Sequence, residues 1–396
     1  MVAEKILVHY ELTPQQETIE RCVELLLNEM TSGIQYFSSR DGVVMDQVRG
    51  HVPYVDSSAL GEVAAVEEQG DGSFRVVFSL PVDNIDPSLG GITNLWPVVA
   101  GEVFNFYFIK RARLVDLELP VSLRQRYLGP RFGIRAIRSL VRHEGTPLVG
   151  AIIKPNVGLN PRQAAKLAED LAYAGFDFLK DDEISVSPAL CPLKERVGRI
   201  ADAVEKASRE TGRKMLYIAN ITSDFSVLHE AACTARDAGA GGFMIDPFCI
   251  GLSAIDFLRR SFALPVYLHR VGYGLFTAGP AFSISYEAFS RLFRLLGADF
   301  SHVGGIWGSS AHARNATKRY LEILRAGDQR SGDCLETWPV VSGISLENIG
   351  DYYGFYGDDT LILDHIDIYN DRQSAAKKRE ALAARMAAAR DMKAMH

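Results

Sequence analysis

The chain lacks several features that would direct it to a membrane, a secreted scaffold or a nucleic acid. Its five cysteines form no CxxC pair, which argues against a disulfide or zinc framework and favours a reducing, cytoplasmic setting. No apolar run reaches the length of a membrane span, and the first residues show no apolar signal region. The net charge of −6 leaves no excess of basic residues for a polyanion. We therefore expect a cytoplasmic protein with neither a nucleic-acid partner nor a membrane partner.

The first part of the chain predicts a small α+β domain. The 396 residues, of which 47% are hydrophobic, leave room for two domains with buried cores. Within residues 1–125, strands are predicted at 5–11, 60–66, 73–80 and 113–119, and helices at 14–30, capped by Thr13, and at 94–103. This order resembles a ferredoxin-like sheet. Residues 128–133, rich in Arg, Gly and Pro, are interpreted as a linker.

The second part, residues 126–370, predicts a TIM (β/α)8 barrel. Short apolar runs alternate there with helical patterns, at 148–153, 176–179, 215–219, 242–246, 265–269, 300–306, 338–344 and 360–364. Eight strand–helix units in succession are typical of a closed parallel barrel. Residues 371–396, rich in Ala, Lys, Arg and Met, predict a C-terminal helical tail for packing or assembly.

Four ionisable residues, Lys180-Asp181-Asp182-Glu183, follow the second apolar run. Alternate side chains of a strand point to opposite faces, so a break after the strand lets Lys180, Asp182 and Glu183 converge while Asp181 turns away. Oxygen ligands gathered on one side suit a hard cation such as Mg²⁺. Taken alone, the run also fits a solvated acidic loop, and the other strand ends decide between the two interpretations.

Polar residues stand at the end of every predicted barrel strand, where the chemistry of a TIM barrel gathers. They are Lys154, Asn156, Asn220, Thr222, Asp224, Asp246, His269, Arg270, His302, Ser342, Gly343, Asp364 and His365. A buried lysine near a metal can take a proton from carbon. Arg270 and His302 can hold a phosphate or carboxylate, and Ser342 and backbone amides near Gly343 can help. Each residue alone has a structural explanation, but the whole set favours proton abstraction next to a carbonyl.

Several motifs then resemble the large subunit of ribulose-bisphosphate carboxylase (RuBisCO). They are IKPNVGL (153–159), FDFLKDDE (176–183), YIANITSD (217–224), LHR (268–270), SHVGG (301–305), VVSGI (340–344) and YGDD (356–359). They occur in the family order over nearly all of the barrel, and NEMTSG (28–33) and GEVFNF (101–106) extend the match to the N-terminal domain.

The resemblance implies a metal and a base. It implies that Lys180 is carbamylated and binds Mg²⁺ together with Asp182 and Glu183. It implies that Lys154 handles the proton at carbon and that His269 lies near the substrate oxygens.

The resemblance also implies a phosphate site and an assembly. Arg270 and His302 would surround a phosphate. Glu29 stands where the family has a glutamate that reaches into the site of a neighbouring subunit. A head-to-tail homodimer with shared sites is therefore implied, and a higher oligomer is open.

The departures from the family pattern argue against CO2 fixation. Ser309 stands where a lysine of the strand-six loop is expected, Asn156 replaces the second lysine of the KPK motif, and Glu102 replaces an asparagine. The glycine triplet after strand eight, a nest for one phosphate, is replaced by Asp364-His365-Ile366, and we expect Asp364 to repel an anion. The chain is therefore similar to the RuBisCO-like proteins of form IV.

Three functions follow as alternatives. One surviving anion site and polar residues such as His365 at the other end favour decarboxylation or hydrolytic C–C cleavage of a phosphorylated 3-oxo sugar acid. The second alternative is enolisation or isomerisation of a methylthio-pentulose phosphate in sulfur salvage, which would need an apolar pocket. The third is a binding or regulatory protein without catalysis, which the apparent retention of a base and metal ligands argues against.

Overall fold

The computed structural model describes residues 4–31, 57–86, 88–306, 311–326, 335–364 and 371–394. The chain forms two compact units. The first comprises Met1–Tyr127 and Tyr273–Arg291, and the second comprises Leu128–Gly272 and Leu292–His396. The segment Tyr273–Arg291, which lies within the predicted barrel range, thus belongs with the N-terminal residues.

Strands and helices follow one another in this order along the chain. The strands are β1 (Lys5–Pro14), β2 (Glu62–Glu68), β3 (Phe74–Pro81), β4 (Ile109–Glu118), β5 (Leu148–Ile152), β6 (Phe178–Lys180), β7 (Leu216–Asn220), β8 (Gly242–Ile245), β9 (Val266–Leu268), β10 (Phe282–Ile284), β11 (Phe300–His302), β12 (Trp338–Ile344) and β13 (Leu361–Asp364). The helices are α1 (Ile19–Met30), α2 (Ile92–Ala100), α3 (Val121–Arg124), α4 (Gly133–Val141), α5 (Pro161–Tyr173), α6 (Leu193–Thr211), α7 (Phe225–Asp237), α8 (Pro247–Ile250), α9 (Ser253–Ser261), α10 (Tyr273–Thr277), α11 (Tyr286–Leu296), α12 (Ala311–Arg325), α13 (Ile349–Tyr356) and α14 (Arg372–Ala394). None of the helices in the described ranges is long and apolar enough to cross a membrane.

The first unit contains a five-stranded sheet in the order β10-β4-β1-β3-β2. β1 lies in the centre, antiparallel to β3 and β4, and buries every second side chain, as its alternating sequence predicts. The predicted start of α1 is wrong. β1 continues to Pro14, and the helix begins only at Ile19, where the Thr18 hydroxyl accepts the Arg21 N–H at 3.4 Å as an N-cap.

The second unit is a closed barrel of eight parallel strands, β5–β9 and β11–β13, which confirms the predicted fold class. Aromatic rings fill its interior. Phe178 lies 5.2 Å from Phe300 and 5.8 Å from Tyr267, and Phe300 lies 6.4 Å from Trp338, between ring centroids. Because strand side chains alternate, Lys180 points inward like Phe178, and the strand ends present alternate residues to the interior and to the helices.

Two helical segments complete the barrel. α4 begins at Gly133, the last residue of the predicted linker, and continues through residues for which the sequence analysis predicted no element. It packs Ile137 and Val141 against the barrel core next to Leu148. Just before α4, the Asp299 carboxylate accepts the Arg131 N–H at 2.9 Å and the Phe132 N–H at 2.8 Å. α14 packs against α5 and α13, and it therefore follows the last strand as the eighth helix of the barrel.

Candidate active site

Lys180 is fully buried in the barrel interior at the end of β6. Its Nζ donates to the carbonyl oxygen of Asp181 at 2.9 Å, lies 3.6 Å from Met244 Sδ, and is 5.8 Å from the centre of the Tyr267 ring. Burial lowers the pKa of Lys180 to about 8, although the nearby carboxylates, Glu183 foremost, oppose the shift. The site therefore holds a lysine that loses its proton unusually easily.

Two further acids lie beside this lysine, as the sequence predicted. Asp182 is buried and forms an ion pair with Nζ of Lys154, which also donates to Asn156 Oδ1 at 2.6 Å. Glu183 Oε2 lies 4.0 Å from Lys180 Nζ and 3.6 Å from a nitrogen of His269. The ends of β5 and β6 thus bring both lysines and both acids together.

Asp181 turns away from this cluster. Its carboxylate accepts Arg196 Nη2 at 3.0 Å, the Tyr217 hydroxyl at 2.9 Å and the Asn220 N–H at 2.9 Å. Arg196 belongs to α6, so the pair joins the strand end to the following helix. Asp181 is therefore a buried structural acid, as its position on the strand indicated.

Asn220 holds the acidic loop in place. Its Nδ2 donates to the carbonyl oxygens of Asp182 at 3.0 Å and Glu183 at 2.9 Å, and its Oδ1 accepts the Thr222 N–H at 3.0 Å. The sequence placed Asn220 at a strand end but assigned it no role. Its place after an apolar run was the available signal.

A second carboxylate–imidazole contact lies at the ends of β8 and β9. His269 Nδ1 lies 3.1 Å from Asp246 Oδ1, and the other oxygen of Asp246 accepts the Thr222 hydroxyl at 3.3 Å. The His269 ring also meets the His302 ring edge to face at 4.8 Å. The sequence placed Asp246 at a strand end, as it did Asn220, but assigned it no role.

His302 is buried below the site, and its Nε2 lies 2.5 Å from the Tyr267 hydroxyl. Burial, followed by the positive neighbours His269, Lys180 and Arg270, holds the pKa of His302 well below its usual value. His302 is therefore neutral at physiological pH. It can offer a hydrogen bond to an anion, whereas the positive charge must come from Arg270.

Ser342 and Gly343 lie near the C-terminal end of β12. Gly343 has a φ of +80°, a conformation that favours glycine, and its carbonyl oxygen accepts Asn348 Nδ2 at 3.2 Å. Asn348 also accepts the Ser345 N–H at 2.8 Å. Asn348 thus fixes the turn that carries two of the predicted anion-binding residues.

The predicted role of Asp364 is wrong. Its predecessor Leu363 lies in the barrel core, so Asp364 faces the helices, where Oδ2 pairs with Nζ of Lys378 on α14 at 2.9 Å. Paired in this way, Asp364 does not repel an anion in the site. His365 and Ser309 lie outside the described residues.

Glu29 lies in α1 of the N-terminal unit. One of its carboxylate oxygens is buried without a hydrogen-bond partner among the described residues. An acceptor in this state calls for a donor, because a buried unpaired oxygen is costly.

The donors around Lys180 fit a divalent cation if Lys180 itself contributes an oxygen. Within the described ranges, no three His, Cys, Asp or Glu side chains are placed to hold a metal by themselves. A lysine with a pKa of about 8 is partly neutral near physiological pH, and the neutral amine is the form that reacts with CO2 to give a carbamate. A Lys180 carbamate with Asp182 and Glu183 would complete an oxygen set of the kind Mg²⁺ takes.

Comparisons with known proteins find relatives in the RuBisCO family. The family model described as "Ribulose bisphosphate carboxylase large chain, catalytic domain" matches residues 133–338. An uncharacterized ribulose bisphosphate carboxylase-like protein of Bordetella bronchiseptica is 34% identical over 68% of this chain and 63% of its own length. A 3-oxo-isoapionate-4-phosphate transcarboxylase/hydrolase of Xanthobacter autotrophicus is 35% identical over 58% of this chain and 54% of its own length. A 3-oxo-isoapionate-4-phosphate decarboxylase of Rhizobium rhizogenes is 33% identical over 60% of this chain and 57% of its own length.

Proteins named ribulose bisphosphate carboxylase match at a similar level, and that of Archaeoglobus fulgidus is 33% identical over 59% of this chain and 54% of its own length. The matches thus span less than two thirds of these relatives. Among solved structures, an octameric RuBisCO of Pyrococcus horikoshii has a TM-score of 0.87 at 24% identity, covering 97% of this chain and 89% of its own, and shares the fold. A rubisco-like protein of Burkholderia fungorum has a TM-score of 0.81 at 26% identity, covering 97% of this chain and 95% of its own.

Proposed function

Since the chain belongs to the ribulose bisphosphate carboxylase large-chain family, we propose that it is a magnesium-dependent enzyme that breaks a C–C bond in a singly phosphorylated 3-oxo sugar acid. The observation that carries the proposal is the convergence of Lys154, Lys180, Asp182 and Glu183 at the ends of β5 and β6. The activities named for two relatives, a decarboxylase and a transcarboxylase/hydrolase, support the choice of substrate.

Lys154 is the group proposed to handle the proton at carbon. In a decarboxylation, the bond to the carboxylate breaks, CO2 leaves, and the electron pair passes to the 3-oxo carbonyl to form an enolate. The carbon that lost CO2 then needs a proton. The Lys154 ammonium is held by the Asp182 carboxylate and by Asn156 Oδ1, and its side chain is partly exposed, so it can deliver that proton and become the neutral amine.

Bound Mg²⁺, with the Lys180 carbamate, Asp182 and Glu183 as its ligands, would supply positive charge next to the enolate oxygen. The residues around the proposed metal ligands are buried and held in place by the chain itself. Lys180 is fully buried, and Asn220 fixes the backbone of both acids through its side-chain amide. The ligands are thus held before a substrate arrives, which favours stabilisation of developing charge.

The phosphate end of the substrate is proposed to lie at the ends of β9, β11 and β12. Arg270 supplies the charge, neutral His302 supplies a hydrogen bond, and Ser342 and the amide of Gly343 complete the set. Asn156, whose Oδ1 accepts Lys154 Nζ at 2.6 Å, is proposed to contact the reacting end. His365 stays a prediction for the opposite end of the substrate.

The test is turnover of two substrates in parallel, 3-oxo-isoapionate 4-phosphate and 5-methylthioribulose 1-phosphate, by protein prepared with Mg²⁺ and bicarbonate. Phosphorus NMR and CO2 release follow the reaction, with Lys154→Ala as the control. Cleavage of the sugar acid by the wild type, and not by Lys154→Ala, supports the proposal. Conversion of only the methylthio compound moves the protein to sulfur salvage, and turnover of neither compound supports a binding protein.

We further propose a homodimer in which Glu29 enters the partner's site and finds there a donor for the carboxylate oxygen that has no hydrogen-bond partner among the described residues of its own chain. A solved RuBisCO of Hyperthermus butylicus is described as dimeric. The test is to mix two inactive variants, Glu29→Gln and Lys154→Ala, under conditions that exchange subunits. Shared sites predict a regain of up to roughly a quarter of wild-type activity, because each mixed dimer then holds one intact site. Sites within one subunit predict no regain.

A further inference from the structure

We propose that Asp246 is a positioning residue that decides which nitrogen of His269 carries the proton. The proposal rests on the proposed function in its hydrolytic form, because it assigns His269 the task of accepting a proton from the water that would cleave the C–C bond in the same site. It extends that function, since Asp246 touches neither the proposed metal ligands nor the phosphate site.

The carboxylate of Asp246 is fixed on both sides. The residue is only 2% exposed. The Thr222 oxygen accepts the backbone N–H of Asp246 at 3.1 Å, so the Thr222 hydroxyl proton is left to donate to Asp246 Oδ2 at 3.3 Å. The other oxygen, Oδ1, therefore faces His269 Nδ1 at 3.1 Å in a set orientation.

His269 Nδ1 lies between two groups that demand opposite protonation. The carboxylate of Asp246 can only accept, so it requires a proton on Nδ1. The backbone N–H of Val271, 3.2 Å away, can only donate, so it requires a lone pair on the same atom. A hydrogen bond to an ionised acceptor is roughly twice as strong as one between neutral groups, and Asp246 therefore prevails over Val271.

The outcome sets the chemistry of the other nitrogen. With the proton on Nδ1, Nε2 keeps its lone pair on the side of Glu183, whose Oε2 lies 3.6 Å away and beyond hydrogen-bond distance. Nε2 can then accept a proton from a hydroxyl, which leaves the electron pair on that oxygen and makes an imidazolium that Asp246 stabilises. Without the carboxylate, the Val271 N–H would favour the tautomer in which Nδ1 is the acceptor. Nε2 would then carry the proton and could not accept another.

The first test reads the tautomer directly and needs no substrate. The full chain is labelled with ¹⁵N-histidine, and the imidazole nitrogens are recorded at about pH 8, where an ordinary histidine is neutral. Among nine histidines, His269→Gln identifies the signal of interest. The wild type is expected to carry the proton on Nδ1, and Asp246→Asn is expected to move it to Nε2. A wild type protonated on Nε2, or an Asp246→Asn protein with an unchanged tautomer, overturns the proposal.

A matched control separates this effect from general damage. Asp364→Asn makes the same substitution at another buried acid at a barrel strand end, but Asp364 faces α14. It is expected to leave the His269 signal unchanged, and an equal change in both variants overturns the proposal. Should Asp246→Asn fail to fold, Thr222→Val frees the carboxylate instead and is expected to give a mixture of tautomers, and an unmixed wild-type signal then counts against the proposal.

The second test is turnover of the phosphorylated 3-oxo sugar acid. Asp246→Asn is expected to lower kcat by about 10²- to 10⁴-fold, the range that a positioned general base contributes, with KM changed less than about threefold. A kcat equal to that of the wild type overturns the proposal while the proposed function stands. If the wild type does not react, the proposed function fails, and the tautomer measurement alone decides whether Asp246 sets the protonation of His269.

Discussion

Two sets of buried charges at the barrel strand ends behave differently. The charges that face the helices are matched, as in Asp181 with Arg196 and Asp364 with Lys378. Among those that face the interior, burial lowers the pKa of Lys180 and of His302. Paired charges serve stability, whereas groups whose protonation is shifted by their surroundings are suited to chemistry. The direction in which a strand-end residue points therefore separates structure from function in this barrel.

The largest stability effect is expected in the outward set. Asp181→Ala would leave the Arg196 guanidinium, which is 2% exposed, buried without its carboxylate. Breaking a buried pair in this way costs about 3–5 kcal/mol. Denaturant unfolding of the variant against the wild type measures the loss, and a change below about 1 kcal/mol would mean that the pair is not structural.

Lys180→Met is expected to change stability in the opposite direction. The folded-state pKa of Lys180 is lowered from 10.5 to about 8, so below pH 8 the folded protein holds a buried charge at a cost of about 3 kcal/mol. The variant should therefore be more stable than the wild type by about 2–3 kcal/mol at pH 7, and inactive.

The same shift predicts a pH dependence. Between about pH 8 and pH 10.5 the unfolded chain binds one more proton at Lys180 than the folded protein does, so wild-type stability gains on the variant as pH rises through this window. If the free energies of unfolding of the wild type and Lys180→Met changed in parallel from pH 7 to pH 10, the lowered pKa of Lys180 would be contradicted.

The two members of the outward pair at β13, Asp364 and Lys378, are expected to differ in how much stability is lost when each is replaced. Asp364 is fully buried, whereas the Lys378 side chain is 18% exposed and can reach water. Lys378→Met should therefore cost about 2–3 kcal/mol, because it removes the positive charge 2.9 Å from a fully buried carboxylate, and Asp364→Asn should cost about 1 kcal/mol. Thermal unfolding of both variants decides the order, and the reverse order would contradict the prediction.

The smallest effect is expected at the anion site. Ser342→Ala removes one proposed hydrogen bond to the phosphate, which is worth about 1.5 kcal/mol or roughly tenfold in KM. Steady-state kinetics should show this rise with kcat and stability little changed. A KM equal to that of the wild type would place the phosphate elsewhere.

The barrel and its inward strand ends could be predicted because buried parallel strands give continuous apolar runs that end in polar residues. Lys180 and Asp181 were sorted correctly by strand alternation alone. Alternation after Leu363 also turns Asp364 towards the helices, but the repulsion expected of Asp364 was wrong because its partner Lys378 lies on α14, which the composition predicts only as a C-terminal tail.

Other features depend on contacts between distant residues. The bond between Tyr267 and His302, and the competition of Asp246 with Val271 for His269, join residues on different strands or loops. The polar residues at strand ends were visible, but nothing in the spacing indicated their partners. α4 was missed because its first turn follows a stretch rich in Arg, Gly and Pro.

The most direct test of the inward–outward division compares turnover of the phosphorylated 3-oxo sugar acid by Lys154→Ala and Asp364→Asn, each checked for folding by thermal unfolding. The account predicts a loss of about 10²- to 10⁴-fold for the inward variant, which lacks its proton donor, and activity within about twofold of wild type for the outward variant. Equal losses in the two folded variants, or full activity in Lys154→Ala, would contradict it.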